Sequence, residues 1–260
     1  MILVLVFATA ILLLIWIVHR LRVNRKKNGS PDFRIKMKDI LNREVVFYQK
    51  LNDAEKERFE TAVNDFINRV HLEWVGAEAN DLDRVLVAAS AVIPIFGFGN
   101  WRYPNLTNVI IYPDTFNSEF GFSSGDRSIL GMVGSGYMNG QMLLSQKSLR
   151  EGFAAHNQYS HTAIHEFVHL LDKADGTTDG IPYLLLDKPY ILPWINLVHQ
   201  EIREICEGRS DINPYGAINE SEFLAVVAEY FFTQPELLHQ RHPELYALLK
   251  KAFQQSPKTT

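Results

Sequence analysis

The sequence predicts an α+β domain, a small mixed sheet packed on several helices, standing behind an N-terminal transmembrane helix. Three observations predict it. Strand-type runs are few and fall between about His71 and Ser145. Helical patterns with apolar stripes fill most of the remaining chain. An apolar run without a single charge, Met1–Val18, precedes them all.

That first run, "MILVLVFATAILLLIWIV", is just long enough to cross a bilayer as a helix. Arg20, Arg22, Arg25, Lys26 and Lys27 follow it at once. A signal peptide would carry its basic residues before the run and small residues after it, where Trp16 and His19 stand instead. Positive residues stay on the cytoplasmic side. The expectation is a single-pass anchor over residues 1–22 in the inner (cytoplasmic) membrane, with the rest facing the cytoplasm. Residues 23–33 contain Gly29, Ser30 and Pro31 and read as a polar tether. Residues 34–260 form one domain.

Helical patterns open the domain at "REVVFYQKL" and "DAEKERFETAVNDFINRV". In the second, Asp53 is the expected N-cap, and Phe59, Ala62, Val63, Phe66, Ile67 and Val70 recur at the spacing of one helix face. "HLEWVG" predicts a short strand. "NDLDRVLVAASAVIPIF" predicts a buried helix capped by Asn80 or Asp81. "NVIIYP" (Asn108–Pro113) is a β-branched and aromatic strand closed by proline. "GSGYMNGQMLLSQ" carries the turn pair Asn139-Gly140 and predicts a hairpin whose returning strand is Gln141–Ser145. A helix with proline in its first turn runs from Pro193 to Glu207. The last helices are "ESEFLAVVAEYFF" and "PELYALLKKAF".

The chemistry lies in "HTAIHEFVHLLDKADG", His161–Gly176. Residues four apart share a helix face, so His165 and His169 can point at one metal ion. Glu166 stands about 100° round the helix, where a base must stand to take a proton from water at the metal. Ile164, Phe167, Val168 and Leu171 form an apolar back face. Asp172 is placed to accept the second N–H of a ligand histidine, which would fix its tautomer.

Catalytic zinc usually has three protein ligands. No histidine follows His169 until His199, so a glutamate is the better third ligand. "INPYGAINESEFLAVVAEYFF" offers Glu220, Glu222 and Glu229. Glu222 and Glu229 are seven apart and share a face. Glu222 could instead complete a capping box with Asn219, and Glu229 could be the ligand or support a ligand histidine.

"HEFVHLLDKADG…GIP" followed by "YGA…ESEFLAVVAEYFFTQPELL" resembles the Mlc titration factor A family of zincin-like metallopeptidases and, more distantly, the anthrax lethal factor catalytic domain. The resemblance runs from about Leu51 to Phe253. It implies a zincin-like fold, a Zn2+ cofactor, His165, His169 and Glu222 as metal ligands, Glu166 as base, and Tyr215 as a donor to the developing oxyanion. The histidine that family members carry before the hairpin strand has no counterpart in "GDRSILGMVGSG".

The expected function is peptide-bond hydrolysis by a metal-activated water. The substrate would lie extended beside Gln141–Ser145 and add to the sheet edge, or Gln141–Ser145 is simply a core strand. The alternative is a membrane-anchored regulatory protein that sequesters a partner such as a transcriptional repressor, with zinc secondary. The net charge of −4 gives no sign of a nucleic-acid binder. One cysteine, Cys206, excludes an intrachain disulfide and a thiolate zinc knuckle.

Overall fold

The computed structural model describes residues 31–117, 128–134, 136–154, 160–182 and 185–257. The predicted anchor and most of the predicted tether lie outside them. Among the described residues no helix is long and apolar enough to cross a membrane.

Helix α1 (Pro31–Glu44) includes the last three residues of the expected tether. Pro31 is its first residue, a position where the missing N–H costs nothing, and Phe33 is already buried. After the four-residue α2 (Val46–Gln49) comes α3 (Asp53–Arg69). Its cap is Asn52 rather than Asp53. The Asn52 side chain accepts from Glu55 N–H while Glu55 accepts from Asn52 N–H, a complete capping box. Phe59, Val63, Phe66, Ile67 and Val70 of the expected stripe are buried, and Ala62 is partly so.

Strand β1 (His71–Trp74) leads through α4 (Asp81–Ile95), capped by Asn80, to β2 (Asn108–Tyr112). Strands β1 and β2 are parallel, so α4 is the crossover that such a pair requires. Strands β3 (Gly131–Val133) and β4 (Gln141–Ser145) form the expected hairpin. Its connection is longer than a tight turn and holds a 3₁₀ turn, Gly136–Met138. Gly140 stands at φ +91°, and a Cβ there would come within 2.8 Å of the Asn105 carbonyl. The sheet order is β1-β2-β4-β3, with β2 parallel and β3 antiparallel to β4.

This order decides between the two readings of Gln141–Ser145 in favour of a core strand. Gln141–Ser145 pairs on both sides and is interior; among the described residues the edges are β1 and β3, and β3 is the one beside the motif helix. Val109, Ile111, Met142 and Leu144 face the helical core; Leu143 and Tyr112 face a smaller cluster with Phe116.

Helix α5 (Gln146–Phe153) follows β4 directly. It is tied to α4 by Asp83, a buried carboxylate that accepts from Arg150 Nε at 2.7 Å and from Gln146 Nε2 at 2.6 Å. The motif helix α6 (Thr162–Asp172) packs Ile164, Phe167, Val168 and Leu171 into the core. Helix α7 (Lys188–Cys206) begins five residues before the expected Pro193. Pro189 occupies its first turn, and Pro193 is carried inside at the loss of one backbone bond. Helix α8 (Glu220–Thr233) lies against α6, followed by α9 (Pro235–Arg241) and α10 (Pro243–Ala252).

Candidate metal centre

His165 Nε2, His169 Nε2 and Glu222 Oε2 meet at one point. The two nitrogens are 3.1 Å apart, and Glu222 Oε2 lies 2.9 Å from the first and 3.4 Å from the second. Four ligands at about 2.0–2.1 Å in a tetrahedron would stand roughly 3.3 Å from each other, so the spacing suits a zinc-sized ion. Among the described residues this is the one group of three such side chains that could hold a metal.

Each histidine is aimed by what holds its other nitrogen. His165 Nδ1 is 2.7 Å from Glu229 Oε1, and the other Glu229 oxygen accepts from the backbone N–H of His161. His169 Nδ1 is 3.2 Å from Ser221 Oγ, which donates to Asp172 Oδ2 at 2.9 Å. Asp172 therefore supports His169 through Ser221 and not directly as expected, because Ser221 on α8 stands between them. The Gly180 N–H also donates to Asp172. The Gly180 backbone runs so close to Glu220 that an added Cβ would overlap its carbonyl.

The glutamates of α8 divide their roles by face. Glu222 and Glu229, seven apart, contact opposite nitrogens of the same His165 ring. Glu220 points away towards His199 on the surface. Asn219 does cap α8, accepting from Glu222 N–H at 2.9 Å. The Glu222 carboxylate is nevertheless committed to the histidines, so cap and candidate ligand coexist.

Glu166 is buried beside this cluster and lines a cleft of about 540 Å³ together with Tyr215, Lys173 and β3. Burial pushes its carboxyl up to about 7, although His165 and His169 pull the other way. Strand β3 passes over it so tightly that a Cβ on Gly131 would sit 2.7 Å from Glu166 Cγ and Oε1. Tyr215 is half exposed in the same cleft, its ring centroid 5.9 Å from that of His165. For His165, burial opposes the charge, but Glu222 and Glu229 outweigh it and raise the imidazole to about 10. Burial alone would raise Glu222; the hydrogen bonds from His165 and His169 instead hold it down at about 2.

Sequence reasoning missed Ser221, Gly131 and His161. Ser221 adjoins Glu222 and could have been suspected from its place on the same helix turn. Gly131 and His161 gave no signal, because their contacts are with residues far along the chain.

The profile of the family described as Glucose-regulated metallo-peptidase M90 matches residues 18–254. An uncharacterized protein of Synechocystis is 27% identical over 227 residues, 82% of each chain. Mlc titration factor A of Escherichia coli is 26% identical over 222 residues, 80% of this chain and 82% of that one. Mlc titration factor A of Shigella flexneri has the same identity and coverage. With a match spanning nearly its whole length, and with a histidine-histidine-carboxylate cluster at its centre, the chain belongs to this metallopeptidase family, the family of Mlc titration factor A.

Proposed function

We propose that the chain is a zinc-dependent peptidase of zincin-like fold, with Glu166 as general base. The observation that carries this is Glu166 itself. A purely structural metal site has no use for a buried carboxyl beside the ligands, and a carboxyl that burial raises above its usual range is better placed to take and return a proton. A zinc ion held by His165, His169 and Glu222 would supply a Lewis acid and lower the pKa of water. Glu166 takes a proton from the attacking water and passes it to the leaving amine. Tyr215 donates to the carbonyl oxygen as charge develops there. Glu229 keeps the His165 proton on Nδ1, which leaves Nε2 for the metal; Ser221 and Asp172 orient His169.

The substrate lies along β3. The ladder to β4 uses Leu130 O, which accepts from Ser145 N–H, and Gly134 N–H, which donates to Gln141 O. In an antiparallel pair the alternate residues turn their backbone groups away. Gly131 and Val133 thus present theirs to the open edge, where Phe116 already pairs with Ile129. An extended peptide would continue that pairing past Glu166.

The test is Glu166→Gln. Zinc content should stay, since Glu166 is no ligand, and peptide turnover should fall at least about 10²-fold. Undiminished turnover would remove Glu166 from the mechanism.

A second reading is favoured by the name of the relatives, which speaks of titrating Mlc. In it the protein is membrane-anchored and sequesters a regulatory protein partner. A biological effect that persists at full strength in Glu166→Gln would select this reading. In both, Met1–Val18 anchors the chain in the inner membrane and the domain faces the cytoplasm. A reporter fused after Thr260 should then be shielded from protease added outside intact cells.

A further inference from the structure

A second cavity, of about 450 Å³, is lined by His161 and Ile164 at the start of α6 and by none of the metal-cluster residues. That volume is within the range of small-molecule sites. Phe47, Phe96, Phe153, Ile164 and Phe232 give it an apolar wall.

Three polar features are set into that wall. Lys50 and Arg58 line it, and among the described residues neither makes an ion pair. Of the acids beside them, Glu44 is bonded to Arg43 and Glu55 closes the α3 capping box. His161, only 3% exposed, accepts from Ile164 N–H through Nδ1. Burial holds its pKa down to about 4, so the ring is neutral and its proton sits on Nε2. Among the described residues that buried donor has no acceptor. Gln255 donates through Nε2 to the carbonyls of Ile93 and Pro94, and its buried Oε1 has no donor among the described residues. Buried polar groups normally find partners. Here one N–H and one C=O stand unpaired at the same apolar cavity.

One chemistry answers all of these. An amide offers an acceptor for His161 and a donor for Gln255; apolar side chains fill the aromatic wall; a carboxylate meets Lys50 and Arg58. The cavity also communicates with the metal site. The His161 backbone N–H donates to Glu229, whose other oxygen holds His165 Nδ1.

We propose that this cavity is a regulatory site for a short apolar peptide with a free C-terminal carboxylate, and that its occupancy reaches His165 through His161 and Glu229. The inference goes beyond the peptidase reading and does not need it, because binding and zinc release can be measured without turnover. By reciprocity, a peptide that alters zinc affinity is itself bound differently with and without zinc.

The test uses the zinc-loaded full chain. Binding of N-acetyl-leucyl-leucine is followed by calorimetry beside its C-terminal amide, and zinc release is followed with a chromogenic chelator. The acid should bind saturably and at least tenfold more tightly than the amide. The double variant Lys50→Gln, Arg58→Gln should lose that preference, and Lys50→Gln alone should weaken it without touching the Arg58 guanidinium, which lies over the Phe96 ring at 4.0 Å. In the parent the acid should change the rate of zinc release several-fold; in the double variant it should not. Equal binding of acid and amide, or tight binding that survives the double substitution, overturns the site. Saturable binding at Lys50 and Arg58 with zinc release unchanged overturns the coupling. Neither result touches the loss of turnover in Glu166→Gln, so the two readings fail separately.

Discussion

Gly131 controls the position of Glu166. A methyl group there must displace the carboxylate, because it would stand 2.7 Å from both Cγ and Oε1. Gly131→Ala should keep its zinc, since it touches no ligand, and lose about 10²-fold in turnover, the scale of a 1 Å misplacement. Parallel measurements of zinc content and kcat would decide, and an alanine variant as active as the parent would mean the strand simply moves aside. Ser221→Ala tests the other support. It removes the hydroxyl between His169 and Asp172, and zinc affinity should fall about 10- to 100-fold; an unchanged affinity in a competitive chelator titration would deny Ser221 that role. At this scale the sequence was partly legible. His165, Glu166 and His169 are fixed by helical periodicity, which is local. Periodicity could not choose between Glu222 and Glu229, because seven residues apart they occupy the same face and both do reach His165. Ser221 and Gly131 act across elements, and no local pattern reports such contacts.

Strand β3 shows why element boundaries were harder. Three residues, one of them glycine, carry no alternation to read. For Gln141–Ser145 the choice between edge and core strand had a readable answer: Met142, Leu143 and Leu144 are consecutive apolar residues, the sign of a strand covered on both faces. Helix starts slipped. Asn52 and Asp53 are both good caps, and Pro189 and Pro193 are both good first-turn prolines, so composition alone leaves the choice open. The crossover helix, β2, the hairpin and the motif helix were legible because each has a run long enough to carry its period. The edge assignment is testable at Val133, whose N–H faces outward. Proline is tolerated on an edge where the lost N–H bonds nothing within the sheet. Val133→Pro should therefore lower the thermal midpoint no more than Val133→Ala, which loses the same packing against the core, and raise KM for extended peptides, with zinc content intact. A fall well beyond that of Val133→Ala would mean that Val133 N–H is used within the fold.

Across the whole molecule, metal and proton compete for the same cluster. Without a metal, His165 sits charged between Glu222 and Glu229, raised to about 10, while Glu222 is held down at about 2. The raised imidazole gives the metal-free fold a stabilisation that is complete below about 6.5 and fades as pH rises towards 10. The lowered carboxylate contributes above about 4.5 and fails as pH falls towards 2. Both operate together between those limits, so mildly acidic solution is where the metal-free fold is best supported. It is also where zinc is weakest, because His165 must give up a proton to become a ligand. If one proton leaves per zinc bound, affinity should rise about tenfold per pH unit, or roughly 10²-fold from pH 6 to pH 8. The thermal stabilisation by a fixed zinc concentration should grow over the same interval, since it follows the ratio of free zinc to its dissociation constant. Zinc titrations at pH 6, 7 and 8 would check this, with Glu229→Gln as the companion. That variant removes a charge that holds the His165 proton, so its zinc affinity should depend less steeply on pH even where the affinity itself is lower. An affinity that stays flat across these values would place the displaced proton elsewhere and separate His165 from the metal.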